Sequence, residues 1–172
     1  STSRVHKALN RAYKKAEHVP IDLEWSPWVF FSDHHRGVRD EADDFQRCEK
    51  SYLAALQYYK ESGYNLGLLG DVEELWENSA REVIQQYPKV LEAEKKFHER
   101  NALVRIWGNH DDYWREKPIF QAYFSKFFPK MKVHEALVLE CRTKGEHLGN
   151  VVLLHGHQGS LSSERFATIS RF

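Results

Sequence analysis

Four polar clusters hold the residues of this chain best suited to chemistry: Asp33-His34-His35, Gly70-Asp71, Gly108-Asn109-His110-Asp111 and His155-Gly156-His157. They offer carboxylate and amide oxygens and imidazole nitrogens, the donors that one or two divalent cations take. In Asp33-x-His35 the spacing puts both side chains on one side of an extended backbone, within reach of a single ion. Asp71 reads either as a carboxylate bridging two metals or as the cap of a following helix. In the third cluster the Asn109 oxygen can ligate a hard cation and His110 can act as an acid, with Asp111 orienting its ring; the plain alternative is a polar turn. Together the clusters point to a metal site that works on phosphate.

Each cluster follows a short apolar run: Trp28-Val29-Phe30-Phe31, Leu66-Gly67-Leu68-Leu69, Leu103-Val104-Arg105-Ile106-Trp107 and Val151-Val152-Leu153-Leu154. Such runs read as buried strands, which places all four clusters at strand ends, where α/β proteins bind ligands. Helices are predicted between them. One over 3–18 has Val5, Leu9, Ala12, Tyr13 and Ala16 on one face and Arg4, Lys7, Arg11, Lys14 and Lys15 on the other, and ends at Pro20. A second runs from Asp40 to Ser62, with Phe45, Cys48, Tyr52, Leu56 and Tyr59 on one face and Gly63 as its stop. A third begins near Glu73 and carries Leu75, Trp76, Val83 and Ile84; Pro88 opens a fourth, to Arg100. An aromatic helix spans 118–128, and strands at 136–142 and 148–154 flank the turn Lys144-Gly145-Glu146. The tail from Ser162 reads as helical. Strand–helix alternation in the first 110 residues predicts an α/β sheet, and the later hairpin predicts a mixed one.

The bulk numbers set limits. At 172 residues the chain reads as a single domain over 1–172. The 25 basic and 25 acidic residues cancel, so nothing in the balance calls for a nucleic-acid or membrane partner. No apolar stretch approaches the ~20 residues of a membrane span, and no signal-peptide pattern opens the chain. Cys48 and Cys141 fit no zinc motif and read as free, buried thiols of a cytoplasmic protein. The basic face of residues 4–15 reads as solvated, as a mouth for an anionic substrate, or as a peripheral contact with anionic lipid.

In their order, Asp-x-His, Gly-Asp-x-x-Glu, Gly-Asn-His-Asp and His-Gly-His, the clusters from Asp33 to His157 resemble the calcineurin-like metallophosphoesterase superfamily. Within it, Gly70-Asp71-Val72-Glu73-Glu74-Leu75-Trp76 is most similar to the UDP-2,3-diacylglucosamine pyrophosphatase branch. The resemblance implies a two-sheet mixed β-sandwich flanked by helices. It implies two divalent cations, manganese, iron, zinc or magnesium, about 3.5–4 Å apart, activating a hydroxide for in-line attack on a phosphate ester or pyrophosphate. Asp33 and His35 would hold the first metal, Asn109 and His155 the second, and Asp71 both. His110 would be the general acid, with Asp111 orienting it. The substrate would be a phosphorylated small molecule. The family's closing Gly-His-x-His has no counterpart after His157, so the chain reads as C-terminally truncated, with each cation one ligand short. The rival expectation is a non-catalytic scaffold that keeps the fold and binds a protein partner.

Several neighbours keep two readings. His34 points away from its flanking residues and is either a rim group or simply exposed. Arg36 meets a substrate phosphate or makes a loop salt bridge. Glu74 supports a ligand or serves helix-start electrostatics, and His157 is a substrate or supporting group. Tyr113 and Trp114 flank a substrate or pack in the core, as do the aromatics from Phe120 to Phe128, which would otherwise form an acyl pocket. His6, His18, His98, His134 and His147 lie outside every cluster and read as surface or structural residues.

Overall fold

In β2 (Trp28–Phe31), β3 (Asn65–Leu69) and β4 (Leu103–Ile106), successive side chains go to opposite faces, and both faces are covered. Val29, Phe31, Leu66, Leu68 and Leu103 enter one core, while Trp28, Leu69, Val104 and Ile106 enter another. Packing on both sides explains why these strands stand out in the sequence as apolar runs rather than alternating patterns, although Phe30 of the edge strand β2 is exposed. The computed structural model describes residues 2–157, and the predicted helix from Ser162 lies outside them.

The chain forms an α/β fold of two sheets flanked by helices. The first sheet, β2-β3-β4-β5 with β5 at Val133–His134, is parallel throughout. The second, β1-β6-β7, is mixed: β1 (Glu17–Asp22) runs parallel to β6 (Ala136–Thr143), and β6 pairs antiparallel with β7 (Glu146–Leu154). The sheets face each other across Ile21, Leu137, Leu139, Cys141 and Leu153 from one and Ile106 with its neighbours from the other. Helices α2 (Phe45–Glu61), α3 (Ala80–Gln86), α4 (Pro88–His98) and α5 (Lys117–Phe124) contribute to the core on the outer face of the parallel sheet. Helix α1 (Thr2–Lys15) lies by β6. No helix among the described residues is long and apolar enough to cross a membrane.

Three departures from the predicted elements have clear causes. Strand β1 contains Pro20 and a single buried residue, Ile21, so it carries no apolar run; proline is tolerated there because β1 is an edge strand. No helix starts near Glu73. After the turn at Gly70 and Asp71, the chain instead passes beside the loop after β2, through a parallel bridge between Arg36 and Glu73. The helix begins at Ser79, whose hydroxyl accepts from the Glu82 amide while the Glu82 carboxylate accepts from that hydroxyl at 2.5 Å, a reciprocal cap. The long second helix starts at Phe45 rather than Asp40. Of the two cysteines, Cys141 is buried as expected but Cys48 is exposed.

Candidate metal centre

Because β2, β3 and β4 are parallel, the loops after them leave the same edge of the sheet, and main-chain hydrogen bonds lace them together. The Asp33 amide donates to the Gly70 carbonyl at 3.1 Å, His35 to Asp71 at 2.9 Å, Arg36 to Val72 at 3.0 Å and Glu74 back to Arg36 at 2.9 Å. From the other side the Leu75 amide donates to the His110 carbonyl at 3.2 Å, and the Trp76 indole to that of Asn109 at 2.8 Å. Asp33, His35 and Asp71 adopt left-handed backbone at φ 54, 46 and 51. Their side chains therefore converge by turning, not by projecting from an extended strand as the spacing suggested. Non-glycine residues in this region are strained and concentrate at functional sites.

Two side-chain triads result, each with its ligand atoms within 4.8 Å of one another: His35, Asp71 and His110, and Asp33, Asp71 and His155. The shared member is Asp71. Its Oδ2 lies 3.0 Å from His155 Nε2 and 3.7 Å from His35 Nε2, and its Oδ1 accepts from the His110 amide at 2.8 Å. Gly108 makes this close approach possible, since a Cβ there would fall 2.1 Å from Asp71 Oδ1. The grouping differs from the expected one: Asp33 falls with His155, and His35 with His110. Asn109 sits in the same loop, and its backbone carbonyl is held by Trp76.

The far nitrogens of the imidazoles are held. His155 Nδ1 lies 2.8 Å from the Leu69 carbonyl and His35 Nδ1 3.0 Å from Glu74, which turns both Nε2 atoms toward Asp71. Metal-binding histidines show this arrangement, with the second nitrogen tied to a carbonyl or carboxylate. The charges agree. Burial opposes the charged His155 ring, but the bond and charge of Asp71, helped by the Leu69 carbonyl and Asp33, together outweigh it and lift the group to about 9. His35 is raised, chiefly by its bond to Glu74. Burial would raise Glu74, yet its bonds to His110 and His35 bring it down to about 2. Asp71 is likewise lowered against its burial, by His155 and by the His110 amide. The centre attracts positive charge, as a cation-binding site must.

One role is corrected. Asp111 does not orient the His110 ring. Fully buried, its carboxylate instead accepts the amides of Gly108 at 2.7 Å, Val72 at 2.9 Å and Asp71 at 3.2 Å, clamping two loops together. Burial, reinforced by the nearby Glu73 charge, raises it to about 6. Glu74 holds the ring, with its two oxygens 2.7 and 2.9 Å from His110 Nδ1, and no helix start is involved. Of the two readings of Glu74, support of a ligand is the one observed, and its place three residues after Asp71 is the signal the sequence carries. For Arg36 the structure takes the salt bridge of its two readings, though to a helix rather than within a loop. The side chain is buried beneath the site, ion-paired through Nη2 with Glu94, and reaches no substrate.

The remaining neighbours sort clearly. His34 packs against Phe45 and Tyr52, accepts from Arg36 at 3.0 Å, and is driven down to about 2 by burial and then by Arg36. His157 packs by Trp107 and is lowered to about 4 by burial. Trp114, Phe120, Phe124, Phe127 and Phe128 are core, whereas Tyr113 is exposed. No family model matches the chain, and neither a curated protein nor a solved structure does.

Proposed function

We propose that the chain is a metallophosphoesterase, hydrolysing a phosphate ester or pyrophosphate with two divalent cations. The observation that carries this reading is the Asp71 carboxylate shared by two triads, with imidazole Nε2 atoms turned toward it and their Nδ1 atoms held. Asp33, His35, Asp71, Asn109 and His155 would hold the two cations, with Asp71 between them. Bound there, the cations would acidify a water and neutralise the phosphate oxygens. The mixed donor set of oxygen and imidazole suits manganese, iron or zinc, and magnesium less closely.

The chain's own contribution is positioning and proton transfer. Glu74 grips Nδ1 of His110, which leaves Nε2 for the substrate. A water oxygen bonds to phosphorus as the bond from phosphorus to the leaving oxygen breaks, and His110 gives its proton to that oxygen. The two-sheet α/β fold, with three parallel strands delivering the site, supports membership of the calcineurin-like superfamily. Manganese-loaded protein should hydrolyse an aryl phosphate, and His110→Ala should lose most of that activity while retaining metal. Elemental analysis finding no metal after loading would sink the reading.

A further inference from the structure

We propose that the cavity opening on His110 is the pocket for the leaving group, and that it selects phosphate derivatives whose leaving group carries a ring or another flat apolar body. The inference rests on the phosphoesterase reading above. The cavity measures about 510 Å³, within the span of small-molecule sites. Of the proposed ligands and acid, only His110 lines it. A leaving group must lie on the acid's side of the phosphate, because the proton passes directly from the ring to the departing oxygen. The cavity on that side is therefore the space into which the departing alcohol fits.

Its walls define the chemistry. Leu75, Trp76, Tyr113, Ile119 and Tyr123 supply the apolar surface. Trp76 is fixed, stacked on the His110 ring at 3.8 Å and tied by its indole to the Asn109 carbonyl. Tyr113 and Tyr123 stand edge to face at 6.3 Å, with 45% and 37% of their surface exposed. This exposure is not an overflow of the core. On α5, Phe120 and Phe124 form the buried i, i+4 pair, while Ile119 and Tyr123 form a separate i, i+4 pair facing the cavity. Flat aromatic walls of this kind take up rings by stacking and edge contacts. The cavity does not call for a second anion. Among the described residues that line it, the one arginine, Arg115, already faces Asp112 at 3.9 Å and Glu116 at 3.6 Å. An uncharged organic leaving group fits better than a further phosphate.

Two measurements on the 172-residue chain test this. With manganese-loaded protein, 2-naphthyl phosphate and phenyl phosphate are compared, since their leaving groups differ in size far more than in acidity. We expect kcat/KM to favour the naphthyl ester by about tenfold, and Tyr123→Ala to shrink that preference to within about twofold. Tyr58→Ala, an exposed tyrosine on α2 outside the cavity lining, should leave it unchanged. With metal-free protein, calorimetric titration should show saturable binding of 2-naphthol, weakened at least about fivefold by Tyr123→Ala. Hydrolysis of both esters at equal efficiency, or naphthol binding indifferent to Tyr123, would overturn the pocket. A chain that takes up no manganese and hydrolyses neither ester would instead overturn the phosphoesterase reading, whatever naphthol does.

Discussion

Gly108→Ala probes the centre through one methyl group. The added Cβ would lie 2.1 Å from Asp71 Oδ1 and 2.6 Å from the Asp71 amide nitrogen, where ordinary contact begins at 3.4 Å. An overlap of more than an ångström against the fixed carboxylate, with a smaller one against backbone, cannot be relieved by a rotamer change. Asp71 must swing away, giving up the His110 amide and the His155 ring. Overpacking costs about 1–3 kcal/mol, and a lost hydrogen bond to a charged group about 1.5–3 kcal/mol. The expected destabilisation is therefore about 3 kcal/mol, a fall in Tm of roughly 6–12 °C for a domain of this size. Displacing the shared carboxylate should also weaken manganese binding by at least about 100-fold, the upper end for disturbing a supporting group. The comparison is Gly67→Ala, whose Cβ would meet the Phe30 ring at 2.5 Å. Phe30 is 37% exposed and can turn aside, so that variant should lose under about 1 kcal/mol and keep its metal. Thermal melts and calorimetric titration of both variants decide the matter. A Gly108→Ala protein that melts with its parent and binds manganese equally well would refute the close approach of the two loops.

Glu74→Gln should lower turnover about 10–100-fold by loosening both imidazoles, read by steady-state kinetics alongside a far-ultraviolet spectrum that stays unchanged. The same variant carries a pH signature in metal-free protein. Glu74 titrates near 2 when folded against an ordinary 4.5, so its contribution is complete above pH 4.5 and fades as pH falls toward 2; urea titrations at several pH values should show a flatter acid limb for the variant. Asp111→Asn puts an amide donor among three backbone donors and should cost about 2–3 kcal/mol in denaturant unfolding. Unchanged stability with altered activity would restore Asp111 to the acid's ring. Glu94→Gln takes the nearer carboxylate from buried Arg36, leaving it only Glu73 at 3.8 Å, and should cost about 3 kcal/mol, a drop visible in the urea midpoint.

The positions of the clusters were legible because β2, β3 and β4 each present an apolar run, packed on two cores and broken only by Arg105, with the polar residues marking where each strand ends. Strands without an apolar run were invisible: β1 offers one buried side chain and a proline, and β5 is two residues long. Within the site, residue types were readable and directions were not. The left-handed turns at Asp33, His35 and Asp71 depend on amides bonded across loops distant in sequence, and no spacing rule reports them. The same holds for the exchange of roles between Asp111 and Glu74. Both are acids near His110, and only the path of residues 70–75 along Arg36 decides which reaches the ring. Arg36 follows a comparable logic: a cation beside the ligands is compatible with phosphate or a salt bridge, and Glu94 and Tyr52, from α4 and α2, place an anion and a hydroxyl beside it.

The lacing of the three strand-end loops by their main chains also governs how this edge moves. Loops ordinarily fray first, with amides that exchange with solvent through small, independent openings. Here the amides of His35, Arg36, Glu74 and Leu75 each close on a carbonyl of another loop, so none can open without disturbing its neighbours. In hydrogen exchange they should behave as one block, protected nearly as well as the strands and released together with them. Access to the reacting groups would then be controlled by side chains at the rim, such as Tyr113 and Tyr123, over a floor that stays fixed.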